Sequence, residues 1–147
     1  MPHIVLERDE NTRIPDPSLA VIHDHLHLAA QEVGAPEVTL EFGQRKEGQP
    51  VLMLMALFEN GVPASGWNVR FRRWRSKESA VSLSNGTAGD HCYRSRIRCG
   101  CPVAVRSDCE ITDFFLIDSA IRYFMEYGEP ASNLKWMAED DVTADEI

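Results

Sequence analysis

Two stretches of the chain repeat apolar residues at three- and four-residue steps, and the segment between them alternates or runs continuously apolar. The first stretch places Leu19, Ile22, Leu26, Ala29, Ala30 and Val33 on one stripe, which predicts an amphipathic helix. Asp16 is its expected cap, Pro17 suits its first turn and Gly34 closes it. The second stretch places Leu116, Ile117, Ala120, Ile121, Phe124 and Tyr127 on one face. Thr112 is its expected N-cap, with Asp113 adding negative charge to the first turn, where the helix dipole favours it. Gly128 supplies a left-handed residue at its end and Pro130 prevents the helix from resuming. A short Ala-Ser-Asn loop then delivers Leu134 and Trp136.

Between the helices the period changes to two. Glu37 to Phe42 alternates with Val38, Leu40 and Phe42 inward, and Trp67 to Trp74 sets Trp67, Val69 and Phe71 against Asn68, Arg70 and Arg72. Val51 to Phe58 is apolar throughout, the pattern of a central strand covered on both faces. His3–Glu7, Ala80–Leu83, His91–Cys99 and Pro102–Val105 read as further short strands, and Asn60-Gly61 is a turn signal. The resulting expectation is an α+β domain over 1–147. An antiparallel, meander-like sheet of five or six strands carries an N-terminal and a C-terminal helix packed on it. Residues 137–147, rich in acids and without a base, form an expected mobile tail.

Composition is globular, and the length suits one sizeable core. No run of roughly 18 or more apolar residues suggests a membrane helix. The first residues lack the basic start and apolar stretch of a secretory signal, so a cytoplasmic protein is expected, with no membrane partner. The net charge of −8 hides a division: residues 1–64 hold 4 basic and 10 acidic side chains, residues 65–106 hold 9 and 2, and residues 107–147 hold 2 and 11. The acidic flanks repel nucleic acid and attract basic partners. The basic middle, Trp67 to Lys77, interleaves aromatics with Arg70, Arg72, Arg73 and Arg75, a pattern that can stack bases and pair phosphates. Its plainer reading is an amphipathic strand with a solvated basic face. Nucleic acid is therefore the alternative partner rather than the expected one.

Candidate chemistry is sparse. Cys92, Cys99, Cys101 and Cys109 fall in one window, but their spacing is not that of a zinc knuckle, and they read as small buried thiols. His23 and His27 stand one helical turn apart, without a third ligand or a base in the HExxH position, and read as a solvated helix face. Cys99 and Cys101 near Arg98 and His91 suggest a thiol dyad with no orienting third group. No GxSxG element, phosphate loop or deaminase signature is present. No metal, cofactor or catalytic activity is expected.

The segment from Ile111 to Trp136 resembles the C-terminal part of the immunity proteins of bacterial polymorphic and contact-dependent toxins, in particular the first-numbered Imm family. The matching residues are Thr112 at the cap, Ile117, Ala120 and Phe124 on the helix, Gly128 and Pro130 in the turn, and Trp136 at the close. The upstream order of helix, aliphatic strand and aromatic-basic strand also fits. An extra residue between Pro130 and Trp136, the cysteine cluster and the acidic tail depart from the family pattern. The resemblance implies an antidote that binds a cognate toxin domain 1:1, a nuclease or nucleobase deaminase, and occludes its active site. The motif residues would be scaffold, with Trp136 largely buried against the second helix. Contacts would then fall on exposed acids, for which Glu59, Asp90, Glu139, Asp140 and Asp141 are candidates, with Trp67 and Trp74 as aromatic anchors.

Overall fold

A computed structural model describes residues 3–9, 11–31, 37–59, 62–78, 80–86, 93–98 and 101–138, with side chains at all of these except 9, 59, 62–65, 93–98, 101–104, 106 and 107. The elements are β1 (Ile4–Asp9), β2 (Thr12–Pro15), α1 (Leu19–Ala29), β3 (Glu37–Phe42), β4 (Pro50–Glu59), β5 (Val62–Arg73), β6 (Val81–Leu83), β7 (Tyr93–Arg98), β8 (Cys101–Arg106), α2 (Phe114–Tyr127) and β9 (Trp136–Ala138). Seven strands form one sheet in the order β2-β1-β3-β4-β5-β6-β9, each pair antiparallel. The class is therefore α+β, with more strands than the sequence pattern indicates. The additional strands are β2, where Ile14-Pro15 completes a hairpin before turning toward α1, and β9, which begins at Trp136. Both are edge strands of three or four residues, too short to show a period. The strands expected around 91–105 pair only with each other, as the separate hairpin β7–β8.

Alternation explains the layering. Leu6, Val38, Leu40, Leu52, Leu54, Val69, Phe71 and Leu83 all point to one side of the sheet, where Ile22, Leu26 and Ala29 of α1 and Ile117, Ala120, Ile121 and Phe124 of α2 meet them in a single core. Phe124 is fully buried, with its ring edge-on to Phe42 and Phe71. Burying a side chain of this kind contributes roughly 1.5–3 kcal/mol. β4 lies fourth of seven and is buried along both faces, as its unbroken apolar run requires. On its second face Met55 and Leu57 pack with Val105 of β8, and β7 crosses β4 there. The hairpin thus roofs one half of that face, and among the described residues the other half is open.

The helix ends differ in detail from the sequence reading. The cap of α1 is Ser18, whose Oγ accepts from the Val21 amide. Asp16 instead takes a left-handed conformation at φ 47°, donates its amide to the Ile4 carbonyl and pairs with His3. The cap of α2 is Asp113, accepting from the Phe115 amide, and Thr112 lies exposed one residue outside. Two candidate caps in succession cannot be ranked from sequence, because the entry angle of the chain decides which side chain reaches back. α1 ends at Ala29, and Val33 and Gly34 lie outside the described residues. Tyr127 is 55% exposed and leans on Tyr123 rather than joining the stripe. Gly128 closes α2 at φ 66°, with its amide donating to the Phe124 carbonyl.

Candidate functional site

The open half of the second face is built by side chains of opposite parity to the core. Register places Val5, Glu41, Val51 and Arg72 in one cross-strand row and Glu7, Thr39, Met53 and Arg70 in the next. Between them lies a cavity of about 350 Å³ lined by Glu7, Thr39, Glu41, Arg45, Gln49, Val51, Met53, Arg72 and Trp74. Val51 and Met53 are its apolar floor, both buried to the edge of solvent contact. Gln49 holds the turn beneath it by donating to the Gly43 carbonyl, while its own carbonyl accepts from the Trp74 amide.

One wall is a charge network. Glu41 is buried, with its side chain only 6% exposed, and receives Arg45 at 2.7 Å and Arg13 at 3.5 Å. The same two guanidiniums reach Glu7 at 3.1 Å and 3.4 Å. The two carboxyls influence each other, and their environments push their proton affinities apart. Burial raises Glu41, but hydrogen bonds from Arg45 and Glu7 outweigh it and hold Glu41 below the usual carboxylate range. Burial also raises Glu7, and the hydrogen bond and negative charge of Glu41 raise it further against the two arginines. Glu41 is thus the standing anion and Glu7 the member that takes a proton first. The opposite wall is Trp74, with the Arg75 guanidinium stacked 4.3 Å from its ring centroid. Arg72 is exposed, and neither it nor the Trp74 indole N–H has a hydrogen-bond partner among the described residues.

The structure separates the residues that the sequence offered as one surface. Trp74 lines the cavity, whereas Trp67 is half-buried on the helix side, packs against the main core and pairs its backbone with Ile111. It lies on the helix side, away from the cavity, because it shares the parity of Val69 and Phe71. The arginines of the basic strand divide likewise. Arg70 and Arg72 take the open face, while Arg73 turns to the helix side, bonds Glu129 at 2.6 Å and lies over Phe71. The side chain of Glu59 and residues Asp90, Glu139, Asp140 and Asp141 lie outside the described residues, as do Cys92, Cys99 and His91. Cys109 is buried and not in a disulfide. Among the described residues no group of three His, Cys, Asp or Glu side chains is placed to hold a metal.

The motif segment is distributed as follows. Ile117, Ala120 and Phe124 are buried. A Cβ on Gly128 would stand 2.6 Å from the Phe42 ring, so glycine is required there by space as well as by φ. Pro130 follows it, partly buried. Trp136 is of intermediate exposure. It packs on the core and its indole donates to the Ala131 carbonyl at 3.0 Å, but it starts an edge strand, which leaves one flank in water.

Two features escaped the sequence reading. Glu41 alternates with core residues in β3, yet its burial depends on Arg45 folding back from the next turn and on Arg13 arriving from β2. His23, read as solvated, bonds Asp118 of α2 at 2.9 Å and meets the Phe114 ring edge-on. Asp118 is shared with Arg122 at 2.7 Å, so the trio ties α1 to α2. Beside it, Phe115 is 74% exposed. No helix among the described residues is long and apolar enough to cross a membrane. Comparisons with protein-family models, with curated proteins and with solved structures find no match to this chain.

Proposed function

We propose that the chain is an immunity protein that binds a cognate bacterial toxin domain, a nuclease or nucleobase deaminase, in a 1:1 complex and occludes its active site. The observation that carries this reading is the open half-face of the sheet. It is a concave surface set on a central strand, with an apolar floor, a tryptophan wall and a rim of arginines. Trp, Met and Arg are the side chains enriched in protein–protein interfaces, and burial of such anchors at a rigid centre supplies most of the affinity. The surface is also preorganised. Its charged wall is cross-linked over β1, β2, β3 and the following turn, so little side-chain ordering remains to oppose association. The C-terminal resemblance adds the toxin as the partner class, and the overall acidity of the chain suits a target with a basic nucleic-acid-binding face.

The test is genetic and physical. The C-terminal domain of a secreted toxin encoded beside this gene is expressed with and without the chain. Rescue of growth, together with a 1:1 complex by light scattering after gel filtration, is the expected result. A chain that neither rescues nor co-elutes with that domain overturns the proposal.

A further inference from the structure

We propose that the cavity between Glu41 and Trp74 is the recognition site, and that it takes a carboxylate-bearing segment of a partner protein. The inference rests on the reading of the chain as a protein-binding antidote and adds which surface engages and what chemistry it meets.

The argument is an accounting of hydrogen-bonding capacity around the cavity. Its two carboxylates are already paired: Glu41 receives Arg45 and Arg13, and Glu7 receives the same two groups. Two of its donors are not: Arg72 and Trp74 line the cavity, neither the Arg72 guanidinium nor the Trp74 indole N–H has an acceptor among the described residues, and Arg75 is stacked on the Trp74 ring. Around the cavity itself Arg13, Arg45, Arg72 and Arg75 stand against Glu7 and Glu41, so its immediate surround carries more positive than negative charge within an acidic chain. A surface with free donors, a forked guanidinium and positive charge selects an anionic acceptor, and a carboxylate matches the fork of Arg72 bidentately. The floor of Val51 and Met53 beside Trp74 adds a place for an apolar side chain next to that carboxylate. A nucleic-acid strand also offers anions, but it needs a continuous basic track. Among the described residues the arginines of the strand are split between its faces, Arg73 pairing with Glu129 on the helix side, so the cavity itself presents Arg72 rather than the whole run.

The partner segment therefore differs from the basic face that the acidic flanks would attract. The two are compatible: the flanks steer the encounter, and the cavity captures one acidic loop of the toxin.

The test uses ¹⁵N-labelled full-length chain and three probes: an acetylated Glu-Glu-Leu-Phe-Glu-Glu peptide, its counterpart with lysine for glutamate, and a short oligo-dT. The acidic peptide should shift the amides of Val51, Met53 and Arg72 and the Trp74 indole N–H, and the lysine peptide and oligo-dT should not. Arg72→Glu should weaken the acidic peptide about tenfold, the loss of one charge-assisted pair. Arg72→Gln should weaken it less. Both variants should melt like wild type, because Arg72 is exposed. Shifts produced by oligo-dT in place of the acidic peptide, or no shift of these signals at millimolar peptide, overturn the proposal. In the toxin assay, unchanged binding by Arg72→Glu and by Trp74→Ala overturns this site while the antidote reading stands. If wild type itself forms no complex, that reading falls and the peptide titration alone decides the site.

Discussion

Replacing Gly128 by alanine probes the joint on which the C-terminal segment turns. The residue sits at φ 66°, where a Cβ meets the carbonyl oxygen, a cost of about 1–2 kcal/mol. The built Cβ also lies 2.6–2.8 Å from three atoms of the Phe42 ring. That ring is itself pressed edge-on against Phe124, so it must shift into a packed core, and overpacking of this kind costs about 1–3 kcal/mol. Alanine returns about 0.4–1 kcal/mol by restricting the unfolded chain. The net expectation is a loss of about 2–4 kcal/mol, which at a urea slope near 2 kcal/mol per molar moves the midpoint down by about 1–2 M. Gly43 and Gly48 provide the control. They too have positive φ, at 76° and 83°, but nothing lies within 4 Å of either built Cβ. Their alanine variants should therefore lose only the backbone part, about 1 kcal/mol or less after the unfolded-state gain. Equilibrium urea unfolding followed by tryptophan fluorescence measures all three. A second arm places Gly128→Ala in a Phe42→Leu background, where the smaller side chain should reduce the cost if the ring is its source. The reasoning is refuted if Gly128→Ala costs no more than Gly43→Ala, or if Phe42→Leu leaves that cost unchanged.

Three further outcomes are expected. Trp136→Ala should cost about 2–3 kcal/mol, below the range for a fully buried tryptophan because one flank is wet, and chemical denaturation would show a larger or negligible loss if its packing is otherwise. Glu41→Gln should cost about 1–3 kcal/mol at neutral pH, since two arginines lose their shared anion, whereas Glu7→Gln should be neutral or stabilising because an amide supplies the donor that Glu7 offers only when protonated; equal losses in the two variants would contradict the assignment of the pair. Burial raises Asp118, but bonds from Arg122 and His23 outweigh it, so its folded pKa lies below the ordinary 3.8. Its stabilisation is therefore present above 3.8 and lost as pH falls through the lower folded value, and Asp118→Asn should flatten the acid limb of a stability–pH curve in that window and nowhere above it.

The order of elements was legible in the chain because the evidence for it is local. Spacing alone located α1 and α2, the inward set Val38, Leu40 and Phe42, and β4 as the strand buried on both faces. Gly128 was legible as a helix terminator for the same reason. What the sequence could not hold was anything that depends on which strands become neighbours. Alternation separated Trp67 from Arg70 and Arg72, but it took the register with β4 to place Arg72 beside Val51 and to assemble the cavity with Glu41 from another strand. Glu41 reads locally as a solvated acid. It is buried only because β2 folds back to bring Arg13 and the turn after β3 returns Arg45. Trp136 reads as the last plug of a helix, yet pairing with β6 makes it the start of an edge strand, and an edge keeps one side in water. Local pattern determines what each segment becomes, since a period of 3.6 or 2 needs only near neighbours. Burial of charge, the division of one basic strand over two faces and the shape of the open surface arise from contacts distant in sequence, and these the tertiary structure alone decided.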